Sequence, residues 1–343
     1  MKKIKIITIN DYGNCGNRLQ AYALNYYLNK YTNNVKTVVL TSKKECFKDA
    51  LKRFFPIKKA TRKYNKYMKF SKKIKSEKIF DKNGLNTDDN LYIVGSDQVW
   101  NPTFSSFAKI FLLPFSKTKY KFSYAASFGI EKLPDTYLKL FKENLSKFSA
   151  ISTREDAGKD ILSSLNLTSE LHIDPTMLLT EEEWHKISKK PRKVKKKKFI
   201  LLYFLGTINS KNLAEIERVS KENDCQIIDF FDSKYNFGPQ EFLYLEENAF
   251  LICTDSFHAS VFGFLFNKPF IVFNRESKDI EKMNSRLDTL LAKFELKDRK
   301  IIAEKISKNN LVVNYTAGYK ILESERKKSK AFLDKIIKIA KEK

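Results

Sequence analysis

Short runs of β-branched and aromatic residues alternate, along almost the whole chain, with segments whose apolar residues recur every three or four positions. That alternation is the pattern of βαβ units and predicts parallel sheets. Strands are expected at residues 3–9, 35–40, 91–94, 121–126, 150–153 and 171–173. Leu19, Ala23, Tyr26 and Tyr27 fall at helical spacing between the first two, predicting an amphipathic helix over residues 18–30. A cationic run with one proline, residues 191–198, then breaks the periodicity. A second series follows it, with strands expected at 199–205, 226–230, 250–253 and 270–273 and helices at 210–222, 239–248 and 257–266. Residues 319–343 carry Leu322, Phe332, Leu333, Ile336 and Ala340 on one side, which predicts a long helix packing back on the body.

The expected class is therefore α/β, built from two Rossmann-like parallel-sheet domains. The N-terminal one covers 1–190 and carries a basic helical insertion at about 43–82; residues 191–198 link it to a second domain over 199–310, and 311–343 form a helical segment. Ligands of open α/β sheets bind beyond the carboxyl ends of the strands, so the site is expected on post-strand loops lining a cleft between the domains.

Composition sharpens this picture in three ways. With 343 residues, 42% hydrophobic and 13% aromatic, the chain can bury large cores, and 31% charged residues keep it in water. No stretch approaches the ~20 apolar residues of a membrane span, and the basic start runs into a strand pattern in place of a leader. Cys15, Cys46, Cys225 and Cys253 lie far apart, and only His172, His185 and His258 accompany them, so reduced cytoplasmic thiols are expected and no metal site. Lys and Arg number 65 against 40 Asp and Glu, and the formal charge of +25 favours anionic company. The run 43–78 concentrates fifteen cations against Glu45, Asp49 and Glu77, with aromatics interleaved. It is either a solvated face over a small core or a surface for anionic lipid or nucleic acid.

Candidate chemistry sits on the post-strand loops. Asn10-Asp11-Tyr12-Gly13-Asn14-Cys15-Gly16-Asn17-Arg18 joins the first strand to the first helix, where glycines let backbone N–H groups approach an anion. Arg18 in a first helical turn opposes the helix dipole. Either a bound phosphate or carboxylate answers it, or it is solvated beside a turn capped by Asn17; Asn14 and Asn17 line the expected cleft. The next run, Val94-Gly95-Ser96-Asp97-Gln98-Val99-Trp100-Asn101, empties a buried strand into small and polar residues beside a Trp. Ser96, Gln98 and Trp100 are read as cleft residues, and Asp97 as a base toward a hydroxyl or a loop-holding Asx group. Ser127 follows another strand end. Arg154, at a strand-to-helix junction, can hold a carboxylate or phosphate by two parallel bonds or pair with Glu155 and Asp156. His258 is placed in the first turn of an apolar helix, where an imidazole is either packing or a proton donor. Asp255 either orients it or caps the helix.

The order of residues 13–22, Ile93 through Asn101, residues 124–129, residues 152–155, Asp174-Pro175-Thr176 and residues 255–258 resembles the polysaccharide pyruvyl transferase family over about residues 3–275. The run Gly-Ser-Asp-Gln-Val-Trp-Asn at 95–101 is the most specific part. The resemblance implies a GT-B-like fold and transfer of a pyruvate unit from phosphoenolpyruvate to a glycan or lipid-linked sugar, with phosphate released and no cofactor beyond that co-substrate. The scattered reduced thiols point to a cytoplasmic enzyme, and anionic lipid at the inner membrane face is one reading of the basic run 43–78. On the family's motifs Arg154 and His258 hold the donor, and Ser256 stands where the Asp-Arg-Leu-His pattern has Arg. Arg18 or Arg275 is then needed to answer the donor's charge. A glycosyltransferase using a nucleotide sugar is the alternative on the same fold. A non-catalytic nucleic-acid-binding protein is the alternative from another class, but the chain lacks an aromatic-basic RNA module or reading helix, so nucleic acid is not expected as a partner.

Overall fold

The computed structural model describes residues 2–41, 59–79, 90–104, 109–194, 198–274, 285–301 and 305–342. The chain divides into two compact units, Met1–Leu178 with Ser324–Lys343, and Leu179–Glu323. The division falls twelve residues before the expected end at 190, and the last helix is shared between the units. The first unit contains β1 (Lys3–Ile7), α1 (Cys15–Asn29), β2 (Val35–Leu40), α2 (Lys59–Ser71), β3 (Ser76–Ile79), β4 (Asn90–Val94), β5 (Lys121–Ser123), α3 (Asp135–Leu145), β6 (Ser152–Thr153), α4 (Asp156–Ser164) and β7 (Glu170–Leu171). Five strands form one parallel sheet in the order β3-β2-β1-β4-β5. Single bridges from Phe122 to Ala150 and from Ala126 to Thr153 carry it on to the β6–β7 pair. Every residue of β4 is buried, as expected of a central parallel strand covered on both faces.

Part of the expected basic insertion belongs to the sheet. Residues 59–79 form α2 and the edge strand β3, whose register with β2 runs from Thr37–Ser76 to Leu40–Ile79. Tyr67 and Phe70 of α2 are wholly buried, and Phe70 packs at 5.6 Å from Tyr22 of α1. Lysine-rich flanks mask this βα unit in sequence, because only one face of the helix needs to be apolar. The remainder of the insertion lies outside the described residues. The first helix begins at Cys15, with Asn14 as its cap, so Asn17 is not the capping residue.

The second unit contains α5 (Glu181–His185), β8 (Phe199–Tyr203), α6 (Ser210–Glu222), β9 (Gln226–Asp229), α7 (Pro239–Asn248), β10 (Leu251–Thr254), α8 (Phe257–Leu265), β11 (Phe270–Val272) and α9 (Ser285–Lys293). Its strands are parallel in the order β11-β10-β8-β9. The long helix α10 (Thr316–Lys341) closes the chain, near the expected 319–343. Two Rossmann-like parallel-sheet units are thus the observed class, as the alternating pattern predicts. Among the described residues no helix is long and apolar enough to cross a membrane. Cys15, Cys225 and Cys253 are free thiols, and Cys46 lies outside the described residues.

The second unit also buries a carboxyl group. Glu246 on α7 has no exposed surface, and neither of its oxygens has a hydrogen-bond partner among the described residues. Burial raises its pKa well above the ordinary carboxylate range, so the native state keeps it protonated. The unfolded chain ionises it near pH 4.3. Stability tied to Glu246 is therefore full below that pH and is lost as pH rises toward the folded-state pKa, by about 1.4 kcal/mol per pH unit. Melting curves of wild type and Glu246→Gln across this range should diverge, with the variant gaining relative to wild type as pH rises. Parallel curves would show that water or rearrangement already satisfies the carboxylate.

Candidate functional site

In the first sheet the connections change direction between β1 and β4, and the loops leaving these two strands flank the switch point. Arg18 is 1% exposed there. Its guanidinium donates to the Ile9 carbonyl and to Asn17 Oδ1, both at 2.8 Å, lies 3.2 Å from Asn10 Oδ1, and faces the Tyr12 ring at 5.2 Å. These acceptors are neutral, and among the described residues no carboxylate pairs with it. Burial lowers its pKa to about 10, an effect that Tyr12 and the more distant charges of Asp11 and Asp97 offset only in part, so it stays charged at neutral pH while carrying a net desolvation cost.

Asn17 transmits this group to the next loop. Its Oδ1 accepts from Arg18 and from the Asp11 N–H, while its Nδ2 donates to Asp97 Oδ2 at 3.0 Å. Asn14 is engaged as the cap, accepting from the Asn17 N–H. Asp97 has φ +73 and follows a cis Gly95–Ser96 peptide. Gly95 is required: at φ +120 an added Cβ would stand 2.4 Å from the Tyr124 carbonyl. The loop therefore lies directly on the end of β5. Asp97 and Gln98 are half-buried and reach solvent.

Arg154, after β6, is held by carboxylates on every side. Its Nη1 donates to Asp174 Oδ2 at 2.7 Å, Nη2 lies 3.4 Å from Asp97 Oδ1, and Nε lies 3.7 Å from Glu155 Oε2. Burial opposes its charge, but the three carboxylates outweigh burial and raise its pKa. Arg154 thus has carboxylates in direct contact, where Arg18 has Asp11 and Asp97 only at longer range. Asp174 also accepts from Ser96 Oγ and from both the N–H and Oγ1 of Thr176.

Several expected cleft residues are interior. Trp100 is fully buried in the core, its Nε1 donating to the Phe111 carbonyl at 3.0 Å and its ring packing on Phe128. An indole N–H can be buried where a carbonyl meets it, so a Trp beside polar residues was no sign of a pocket wall. Ser96 is wholly buried, its Oγ 2.7 Å from the Ala125 carbonyl. Ser127 is buried as well, with its backbone N–H on the Asp97 carbonyl and its hydroxyl unpartnered among the described residues. Gln98 accepts from Asn101 Nδ2 at 2.8 Å and fills space that only Gly129 leaves open, since a Cβ there would lie 2.0 Å from Gln98 Oε1. Asp174 and Asn10 stand in runs the sequence singles out but were given no role of their own, and Gln20 was not singled out. Asp174 had a signal, standing directly after an expected strand; Gln20 had none, because its side chain crosses from α1 to Thr8 Oγ1 and the Ser96 N–H.

The second unit holds its candidates at its own switch point, between β8 and β10. Asp255 accepts from the Leu205 and Gly206 N–H groups at 2.7 and 2.8 Å, tying the loop after β10 to the loop after β8. Ser256 is the N-cap residue of α8, with no side-chain capping bond, and its N–H donates to Thr254 Oγ1. His258 is the second residue of α8 and is 8% exposed, with the Phe257 ring edge-on at 5.3 Å. Arg275 lies outside the described residues. Among the described residues no cluster of three His, Cys, Asp or Glu suits a metal ion.

Among solved structures the chain is similar to an uncharacterised protein of Klebsiella pneumoniae, at 13% identity and TM-score 0.47, covering 88% of this chain and 94% of that one. It is also similar to a putative UDP-N-acetylglucosamine 2-epimerase of Listeria monocytogenes, at 10% identity and TM-score 0.49, covering 96% and 91%. A third is the UDP-N-acetylglucosamine 2-epimerase of Neisseria meningitidis, at 11% and 0.47, covering 97% and 100%. No curated protein matches the chain significantly. Residues 14–277 match the polysaccharide pyruvyl transferases, a span that takes in Asn14, Arg18, the Asp97 loop, Arg154 and His258, and the chain belongs to that family of transferases.

Proposed function

We propose that the protein transfers a pyruvate unit from phosphoenolpyruvate to a sugar of a cell-surface polysaccharide or its precursor, forming a ketal and releasing phosphate. Family membership makes it a transferase of polysaccharide modification. The observation that supports an anionic donor is Arg18, a buried guanidinium whose near neighbours are neutral acceptors. A donor carboxylate or phosphate would give Arg18 an anion in direct contact, which Asp11 and Asp97 provide only from further off, at the start of α1, where backbone N–H groups favour anions.

Arg154 then serves as a positioning residue. Its three carboxylate neighbours leave it no charge to offer a donor, but it fixes Asp97, which Asn17 holds from the other side. Asp97 is the solvent-reaching carboxylate of this network and is assigned to the acceptor hydroxyl. His258, in the second unit, is assigned as the proton donor. Protonation of the donor's methylene carbon leaves C2 oxocarbenium-like; one sugar hydroxyl adds there, phosphate departs with the C2–O bond electrons, and a second hydroxyl closes the ketal. The two hydroxyl protons pass to solvent and phosphate, restoring the balance.

Arg18→Gln tests the donor assignment. Phosphoenolpyruvate affinity should fall about thirtyfold, the ~2 kcal/mol of a lost charge-assisted bond, while the melting temperature without ligand changes little. Thermal shift against ligand concentration reads both quantities. A wild type that ignores phosphoenolpyruvate but is stabilised by a nucleotide sugar would overturn the reading in favour of glycosyl transfer.

A further inference from the structure

We propose that the edge of the first unit's sheet where the strands begin is a docking surface for an anionic lipid bilayer. Because the strands are all parallel, their first residues share one edge, and the helices returning between them end there. Backbone bonds join it into one surface. Ile4 N–H donates to the Asn34 carbonyl, Lys2 N–H to the Ala340 carbonyl of α10, Tyr92 N–H to the Tyr120 carbonyl and Thr37 N–H to the Lys75 carbonyl. Exposed Lys3, Lys30, Lys36, Lys75, Lys119 and Lys147 lie along it, and the end of α10 adds Lys338 and Lys341. Among the described residues the carboxylates near this edge include Glu77, which Lys5 engages, Glu143, which faces Lys139 at 3.9 Å, Asp334, which pairs at 2.9 Å with the Lys330 that lies over Tyr31, Glu170 and Glu342. Among the described residues the cations prevail.

Lysines at helix C-termini are ordinary, since they complement the dipole, and Lys30 and Lys147 need no other reason. Lys3, Lys36 and Lys119 stand at strand starts, where no dipole requires them. The aromatic neighbours decide between classes of partner. Tyr26 and Tyr31 are 36% and 38% exposed on this edge. Lys30 sits over Tyr26 at 5.1 Å, and Lys2 and Lys119 sit over Tyr120 at 4.7 and 5.3 Å. Tyrosine rings with lysine stems laid across them form the amphipathic layer suited to a headgroup region. A row of strand starts offers no helix to enter a nucleic-acid groove. The candidate site occupies the opposite, carboxyl-end edge, so a docked unit presents that site away from the bilayer, whichever donor it uses.

Sedimentation with phosphatidylglycerol-containing and pure phosphatidylcholine vesicles tests this. The protein should bind the anionic vesicles at low salt and lose them as salt rises. The variant K30E/K75E/K119E/K147E should bind at least about tenfold more weakly, each lysine near a charged surface contributing on the order of a factor of five. The variant K211E/K221E/K297E/K308E, with the same charge change in the second unit, should bind like wild type. Should the first variant melt early, K3E/K36E tests the same edge with two exposed side chains. Equal retention on neutral vesicles, or equal losses for edge and second-unit variants, would overturn the proposal. So would loss of binding on reversing Arg62 and Lys63 of α2 with the edge intact, or edge-dependent binding of duplex DNA without vesicle binding.

Discussion

Arg154→Gln is expected to cost about 3–5 kcal/mol of stability, the penalty for removing one member of a buried ionic cluster. The loss comes from the partners more than from the arginine. Asp174 is 1% exposed and Glu155 wholly buried, and with the guanidinium gone their charges stay desolvated beside Asp97. At about 2–4 °C per kcal/mol for a unit of this size, melting should fall by roughly 6–20 °C. Adding Asp174→Asn should recover part of that loss, since the amide keeps the hydrogen bonds to Thr176 in view without a charge. Circular dichroism melting of the two variants decides the matter. If Arg154→Gln melts like wild type yet loses phosphoenolpyruvate, Arg154 touches the donor and the division of labour with Arg18 is wrong.

His258→Gln should lower turnover about 10²-fold or more while leaving melting close to wild type, the scale of a lost acid catalyst. Gln retains a hydrogen-bonding side chain of similar length, so the helix start should persist. The assay pairs phosphate release from phosphoenolpyruvate with mass-spectrometric detection of a pyruvylated sugar. An early-melting variant whose residual activity follows its folded fraction would make His258 a packing residue of α8.

Read from the sequence, the strands of both sheets were placed close to where they lie, because parallel strands buried on both faces are near-continuous apolar runs. The edge strand β3 and its helix α2 were not separable from the surrounding lysines, since an edge strand is half-exposed and its charges look like those of a loop. The post-strand loops were legible for the same reason as the strands. What each loop residue does was not. Trp100 and Ser96 share one loop with Asp97, yet burial separates them from it, and burial depends on which neighbouring strand supplies the covering carbonyl.

The two arginines show where the boundary lies. Sequence by itself determined that cations stand at two strand-to-helix junctions, because that follows from periodicity and spacing within each βα unit. It also determined the alternating α/β class and the surplus of positive charge. Tertiary structure decided which cation is already neutralised. Asp97 and Asp174 come to Arg154 from two other loops and join its chain neighbour Glu155, while neutral oxygens from Ile9, Asn10 and Asn17 contact Arg18. Charge pairing falls off within a few ångströms and desolvation depends on every neighbour at once, so neither can be read from positions 57 or 20 residues apart in the chain.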